Sequence, residues 1–388
     1  MIADPRRIAI AFCAACAFLN LYSVQAVLPF IALELGQGAA EVSMILTAGT
    51  LAVALTAPFT GAVSDLIGRK RIIVAAMALL IVPTLMLAFS QSLSELVAWR
   101  FVQGLLLPPI FTVAIAYVGD EWPPREAATV IGIYTAASAA GGFFGRFATG
   151  ALVDDFTWRG GFVAVTGINL ICLVVVIWLL PREKSFVKAS SLFSSLGQML
   201  NHLRNPRLLA TYAVGFGVMF CFMGTFTYIN FHLAAPPFNR SALFLGSIFV
   251  VYLCGSVLAP WSGHFIRLLG RRRFVLSALG IWTIGLALTL SPNVPIIILG
   301  LAIFSSAGIL VQATSTGFVA ASAPAGTSGA VGLYVTSFYL GGTVGGWLPG
   351  LAYEAGGWLA SVAVVAIVIA TMAVIVSIWW REPRSVGA

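Results

Sequence analysis

Charge is what this sequence of 388 residues lacks: 9% of it is Asp, Glu, Lys or Arg, where a soluble domain carries roughly 25%. That excludes a soluble globule, which needs more polar surface. Acid is the scarcer sign, with 13 acidic against 21 basic residues for a net +8. The 60% hydrophobic content excludes disorder. The 39 glycines are scattered through apolar runs without a triplet repeat, which excludes a collagen. Cysteine is sparse, and Cys13, Cys16, Cys172, Cys221 and Cys254 all fall in apolar segments, so a secreted disulfide framework is not expected. Histidine is rarer still. His202, His232 and His264 join no Ser/His/Asp grouping, no H-E-x-x-H and no phosphate loop, so no catalytic residue, metal site or cofactor is expected.

Long apolar runs are what the chain has. A helix rises about 1.5 Å per residue and needs about 20 apolar residues to cross the hydrocarbon. Cutting at charged, Gly-rich and Pro-rich breaks predicts twelve spans: 8–33, 42–63, 72–89, 93–118, 127–153, 158–180, 208–234, 242–266, 274–290, 294–322, 329–353 and 357–380. The first run is too long for a signal-peptide core and reads as a span.

An even count puts both termini on one side. With those termini cytoplasmic, the inner segments hold 17 of the 21 basic residues, from Arg6 and Arg7 to Arg381 and Arg384. The outer loops hold Arg159 and Arg240, while Arg100 and Arg146 lie within spans. The positive-inside rule therefore orients the chain, and the net charge needs no nucleic-acid partner. The longest inner connection divides the sequence into a six-helix half at 1–180, a linker at 181–207 and a second six-helix half at 208–388. In the linker Leu192, Leu196, Met199, Leu200 and Leu203 recur at helical spacing beside Lys188, Arg204 and Arg207, which predicts an amphipathic helix on the membrane face.

The halves repeat one another. P-F-T-G-A-V-S-D-L-I-G-R-K-R from Pro58 to Arg71 overlies P-W-S-G-H-F-I-R-L-L-G-R-R-R from Pro260 to Arg273. Gly141, Gly142, Gly145, Gly150 and Trp158 overlie Gly341, Gly342, Gly345, Gly350 and Trp358. Two parallel halves are the build of transporters that rock about a midplane site.

The string from Gly61 to Arg71, G-A-V-S-D-L-I-G-R-K-R, resembles the signature loop of the major facilitator superfamily. The resemblance implies an all-α membrane fold of twelve transmembrane helices in two pseudo-repeated six-helix halves, and a cytoplasmic gate at Gly61, Asp65, Gly68, Arg69 and Arg71. Glycines there permit a tight turn and close helix approach, and Asp65 is suited to a helix end or a loop arginine. The second copy has Arg267 in place of Asp65. Arg100 to Gly104, R-F-V-Q-G, resembles the family's Arg-x-x-Gln-Gly motif, which many proton-linked members carry and which implies Arg100 and Gln103 in the translocation path, with Arg100 holding span four to polar groups of neighbouring spans as the alternative. An arginine inside the hydrocarbon costs several kcal/mol unless paired or hydrated, and marks a functional site by default. Gly141 to Gly150 partly resembles the family's antiporter motif, with Arg146 replacing a glycine. Arg146 reads as a substrate-binding or gate residue, with a structural pair to Asp154 as the alternative. Y-S-V-Q-A-V-L-P from Tyr22 to Pro29, T-Y-I-N-F from Thr227 to Phe231 and S-F-Y-L-G-G from Ser337 to Gly342 extend the likeness to the bacterial arabinose-efflux and acriflavine-sensitivity branch.

In this superfamily spans one, four, seven and ten line the cavity. The resemblance places Asn20 and Gln25 there, with Phe216, Phe220, Met223, Thr227 and Asn230 on one stripe of span seven, Ser305, Ile309, Gln312 and Thr316 on one of span ten, and Tyr339 nearby. None of the 13 acids is placed near the midplane. Proton coupling, if present, is therefore expected to use a rim acid, Glu34 or Asp154, with coupling through the arginines' water network, or none at all, as the alternatives. The expectation is a monomeric inner-membrane secondary transporter, with lipids and a small organic solute as partners, working by alternating access with proton-coupled efflux. The alternatives are an uptake permease, including a copper permease using Met219 and Met223, and a non-transporting membrane sensor.

Overall fold

The computed structural model describes residues 4–183, 202–322 and 327–380. Every regular element among them is helical, as expected. The elements are α1 (Pro5–Tyr22), α2 (Leu28–Leu35), α3 (Ala39–Ile67), α4 (Arg69–Phe89), α5 (Leu93–Leu106), α6 (Pro108–Glu121), α7 (Pro124–Ala151), α8 (Val153–Leu179), α9 (Pro206–Ala234), α10 (Ala242–Ser247), α11 (Tyr252–Leu258), α12 (Ser262–Leu269), α13 (Arg271–Leu288), α14 (Val294–Ser322) and α15 (Thr327–Trp379). Short 3₁₀ turns join α10, α11 and α12 into one run. Most of the expected amphipathic linker helix lies outside the described residues.

Among the described residues nine helical stretches are long and apolar enough to cross a membrane. One, Gly329–Trp379, is broken by non-helical Gly356 and Gly357 and counts as two. The run α1–α2, interrupted at residues 23–27, and the 18-residue α13 complete the twelve expected segments.

Local chemistry sets the ends. Asp4 caps α1, accepting from the Arg6 amide at 3.0 Å ahead of Pro5. The Arg6 guanidinium holds the Asp4 carboxyl below its ordinary value. Gly68 and Gly270, with φ of 105° and 76°, separate α3 from α4 and α12 from α13 at matching places in the repeat. The breaks ahead of spans six and twelve match too: non-helical Thr157 near the start of α8 has φ 59° and Gly357 within α15 has φ 64°, each directly before a tryptophan. Glycine adopts that conformation freely, whereas a β-branched residue is strained there.

The chain packs as two compact units: Met1–Leu192 with Phe226–Val250, and Phe193–Thr225 with Val251–Ala388. In the first unit Gly141 and Gly145 of α7 lie against the backbone of Ala15 and Leu19 in α1. In the second unit Gly341 and Gly345 of α15 lie against Phe216 and Phe220 of α9. A Cβ at any of the four would overlap its neighbour, so the repeated glycines bring two helix backbones into contact.

Candidate functional site

The first span does not cross as one helix. After Tyr22 the chain makes tight turns through residues 23–27 before Leu28 and Pro29 start the next helix. A break within a span leaves backbone groups with no helical partner, and the hydrocarbon supplies none. Here the carbonyls along the break are met. From Leu19 to Gln25 the seven successive carbonyls accept from the Ser23 amide, Arg100 Nη1, Arg100 Nη2, the Gln25 amide, Thr149 Oγ1, the Val27 amide and Asn230 Nδ2.

Arg100 is 1% exposed. It donates to the carbonyls of Asn20 at 2.9 Å, Leu21 at 2.8 Å and Ile45 at 3.3 Å, and to Gln103 Oε1. The first two carbonyls belong to the C-terminal turn of α1, where the helix dipole is negative, so the guanidinium is balanced by backbone. Beneath it, Asn20 Oδ1 accepts from Gln103 Nε2 at 3.0 Å, Asn169 Nδ2 at 3.0 Å and Thr84 Oγ1 at 3.1 Å, and Asn20 Nδ2 donates to Asn169 Oδ1 at 2.7 Å. Five polar side chains from spans one, three, four and six thus close on one another.

Arg146 of α7, 3% exposed, engages the break from the other side. Its Nε and Nη2 donate to Gln25 Oε1 at 2.9 and 2.8 Å, and Nη1 donates to the Gly142 carbonyl at 2.8 Å. The guanidinium carbon lies 4.2 Å from the ring centres of both Tyr22 and Phe249. Gln25 in turn donates from Nε2 to Thr227 Oγ1 at 3.0 Å. Asn230 Oδ1 is buried without a hydrogen-bond partner. Arg100, Gln103, Asn20, Gln25, Arg146, Thr227 and Asn230 therefore form one constellation around residues 20–25. Sequence reading missed Thr84, Thr149, Asn169, Tyr22 and Phe249. A polar residue within an apolar span is the signal that would have found Asn169.

The loop after α3 forms a second charged cluster. Arg69 meets Asp65 at 2.9 Å, Asp120 at 2.8 Å and Ser64 Oγ at 2.6 Å. Glu183 accepts from the amides of Arg69 at 3.0 Å and Lys70 at 3.2 Å, capping α4 with its negative charge at the helix N-terminus. Asp120 and Glu183 were not legible as partners, lying far along the chain. Gly68 has the positive φ its turn requires. Gly61 has open space where a Cβ would sit, so no close helix approach explains it, and Arg71 is exposed.

The remaining candidates are dispersed. Glu34 accepts from Trp158 Nε1 at 2.6 Å and pairs with Arg159, tying α2 to α8. The side chain of Asp154 lies outside the described residues. In the second unit Ser305 donates to the Val251 carbonyl at 2.9 Å. Phe220 stacks on Phe216, Met219 and Met223 lie along Gly342, and Tyr339 meets Phe338 edge-on. Gln312 is half-buried, and its carbonyl accepts from Ser315 and Thr316.

Similarity to known proteins agrees with this geometry. The model of the Major Facilitator Superfamily matches residues 10–252 and 231–387. An uncharacterized transporter of Buchnera aphidicola (subsp. Schizaphis graminum) is 30% identical over 93% of this chain and 87% of its own. The inner membrane transport protein YnfM of Escherichia coli K12 is 29% identical over 91% and 87%. The crystal structure of the nucleoside transporter NupG (D323A mutant) superposes with a TM-score of 0.81 at 13% identity, covering 97% of this chain and all of that one. Twelve spans in repeated halves, the signature loop in its ion-paired form and a family match along nearly the whole length lead to one conclusion: this chain is a membrane transporter belonging to the Major Facilitator Superfamily.

Proposed function

We propose that the chain is a secondary active transporter of the bacterial inner membrane, both termini cytoplasmic, which exports a small organic solute by alternating access against a flow of protons. The observation that carries this is the broken first span with Arg146 held at the break by Gln25, Tyr22 and Phe249. Discontinuous spans with buried polar groups are how secondary transporters build substrate and ion sites. Aromatic faces beside a cation and neutral amides suit a small amphipathic solute. The export direction rests on the likeness to the efflux branch at Tyr22–Pro29 and Thr227–Phe231.

In this reading the halves 1–180 and 208–388 move against each other across the linker. Gln25, Arg146, Thr227 and Asn230 face the path; Phe220, Met223, Ser305, Gln312 and Tyr339 are further candidates for contact with the solute. Arg100, Gln103 and Asn20 act by holding the break in place. Asp65 and Arg69 latch the cytoplasmic side, with Gly68 supplying the turn. Proton coupling falls to a rim acid. Glu34, bonded to Trp158 and Arg159, and Asp154, at the start of α8, are the candidates.

Inverted membrane vesicles test this. Once respiration has acidified them, an exported compound entering by antiport collapses the pH gradient, which a pH-sensitive dye reads. Wild-type vesicles are expected to respond to members of a panel of dyes, antibiotics and metabolites. Arg146→Ala is expected to abolish the response at unchanged protein level. A full response from Arg146→Ala removes that residue from the path. Response to no compound, with the protein inserted, overturns proton-coupled export.

A further inference from the structure

The second unit carries a feature the transport reading does not use. An apolar groove of about 570 Å³ runs between α9 and the two arms of α15, from Leu203 and Leu209 past Ala213 to Leu340, Val368 and Ile375. A second hollow of about 290 Å³ shares Leu209, Ala213 and Ile375 and extends the groove to Pro206 and Trp379. From Pro206 to Gly217 the α9 wall is about 16 Å long at 1.5 Å per residue, half the roughly 30 Å hydrocarbon thickness. The groove therefore has the depth of one leaflet.

Three details specify its occupant. The Tyr212 ring, 5% exposed, lines the groove with its hydroxyl buried and without a partner, and Thr336 Oγ1 in the same wall is also unpartnered. Helical side chains lean toward their helix N-terminus, so the Tyr212 hydroxyl reaches toward the Pro206 end. At that end Arg204 and Arg207 are exposed, and among the described residues neither forms an ion pair. Asn205 fixes the turn between them, accepting from the Arg207 amide at 3.0 Å. The half-exposed Trp379 marks the same end, as tryptophans do at membrane interfaces.

We infer that this groove binds an anionic phospholipid of the cytoplasmic leaflet: one acyl chain fills the cleft, the Tyr212 hydroxyl donates to an ester carbonyl, and the phosphate lies against Arg204 and Arg207. Basic side chains at the inner end of a groove between spans recognise such headgroups. The leaflet assignment rests on the orientation proposed above, whereas the binding itself does not.

Native mass spectrometry of the purified full chain in detergent, with equal dioleoyl phosphatidylglycerol and dioleoyl phosphatidylcholine added, tests the site with no gradient or substrate involved. Wild-type protein is expected to retain the anionic lipid with about thirtyfold preference, the amount two basic side chains supply. Arg204→Gln with Arg207→Gln, both at the surface, is expected to bring that preference close to unity. Ala213→Phe, which fills the cleft, is expected to remove retention of both lipids. Equal retention of the two lipids by wild type, or an undiminished preference in the arginine variant, overturns the proposal. Retention unchanged in Ala213→Phe overturns the placement in the groove. Labelling of Arg204→Cys, in a Cys254→Ser background, by an impermeant maleimide outside intact cells overturns the leaflet while leaving the binding result standing.

Discussion

Spans one, three, four and six of the first half meet around Asn20, Thr84, Gln103 and Asn169, joined by hydrogen bonds of 2.7–3.3 Å, with Arg100 donating to Gln103. The corresponding spans seven, nine and ten of the second half meet around Phe222, Trp282 and Phe304, with ring centres 5.2–5.9 Å apart. The same glycine contacts hold both halves, so the difference lies in what each first helix demands. α9 is a continuous helix of 29 residues whose backbone satisfies itself, and its neighbours are free to be aromatic. α1 ends at Tyr22 in mid-span, and its orphan carbonyls require donors. The polar core follows from the break.

Removing the donor breaks the comparison most severely. Arg100→Met strands the buried Leu21 carbonyl and Gln103 amide oxygen, and takes one donor each from the Asn20 carbonyl, which keeps Ser23 Oγ, and from the mid-helix Ile45 carbonyl. It is expected to cost about 2–6 kcal/mol, two buried acceptors stranded at about 1–3 kcal/mol each, seen as a large fall in melting temperature in detergent. A melting temperature equal to wild type would show that the break does not depend on Arg100. Asn169→Ile gives the first half the residue the second half has at Ile369. It strands part of Asn20 and is expected to cost about 1–3 kcal/mol, read by the same melts. A neutral result would separate the polar core from the break.

The matched junctions sharpen the comparison further. Thr157 occupies the positive-φ position that Gly357 fills in the second half. Gly357→Thr is expected to cost about 1–2 kcal/mol in strain, and Thr157→Gly to raise stability by up to about 1 kcal/mol despite its greater unfolded-state freedom. A lowered melting temperature for Thr157→Gly would mean that the threonine side chain repays its strain. The smallest effect belongs to the latch. Asp65 is partly exposed and shares Arg69 with Asp120, so Asp65→Asn is expected to move stability by about 0–1 kcal/mol while slowing flux in the vesicle assay. A large loss of stability would make the pair a folding element instead of a gate.

Much of this was legible beforehand. The twelve segments follow from apolar length, and the glycine repeat from spacing. Arg100 and Arg146 stood out because a charge within an apolar run is costly. The Asp65–Arg69 pair was readable because its members are one helical turn apart. Arg69 also pairs with Asp120, 51 residues on, and Glu183 caps α4 from 114 residues away. No local pattern connects such positions. The break in span one was hidden because Tyr22 to Pro29 is as apolar as a continuous helix would be.

The sequence by itself determined that this chain crosses a membrane, how often, and that its halves are related, because those properties depend on transfer of apolar side chains and on spacing along a helix. Only the tertiary structure decided what the two intramembrane arginines touch. Their partners are chiefly backbone carbonyls, two glutamines and aromatic faces, which carry no charge, and only Gln103 is tied to its arginine by a linear motif. Which carbonyls are orphaned is settled only when the helix that should have satisfied them stops.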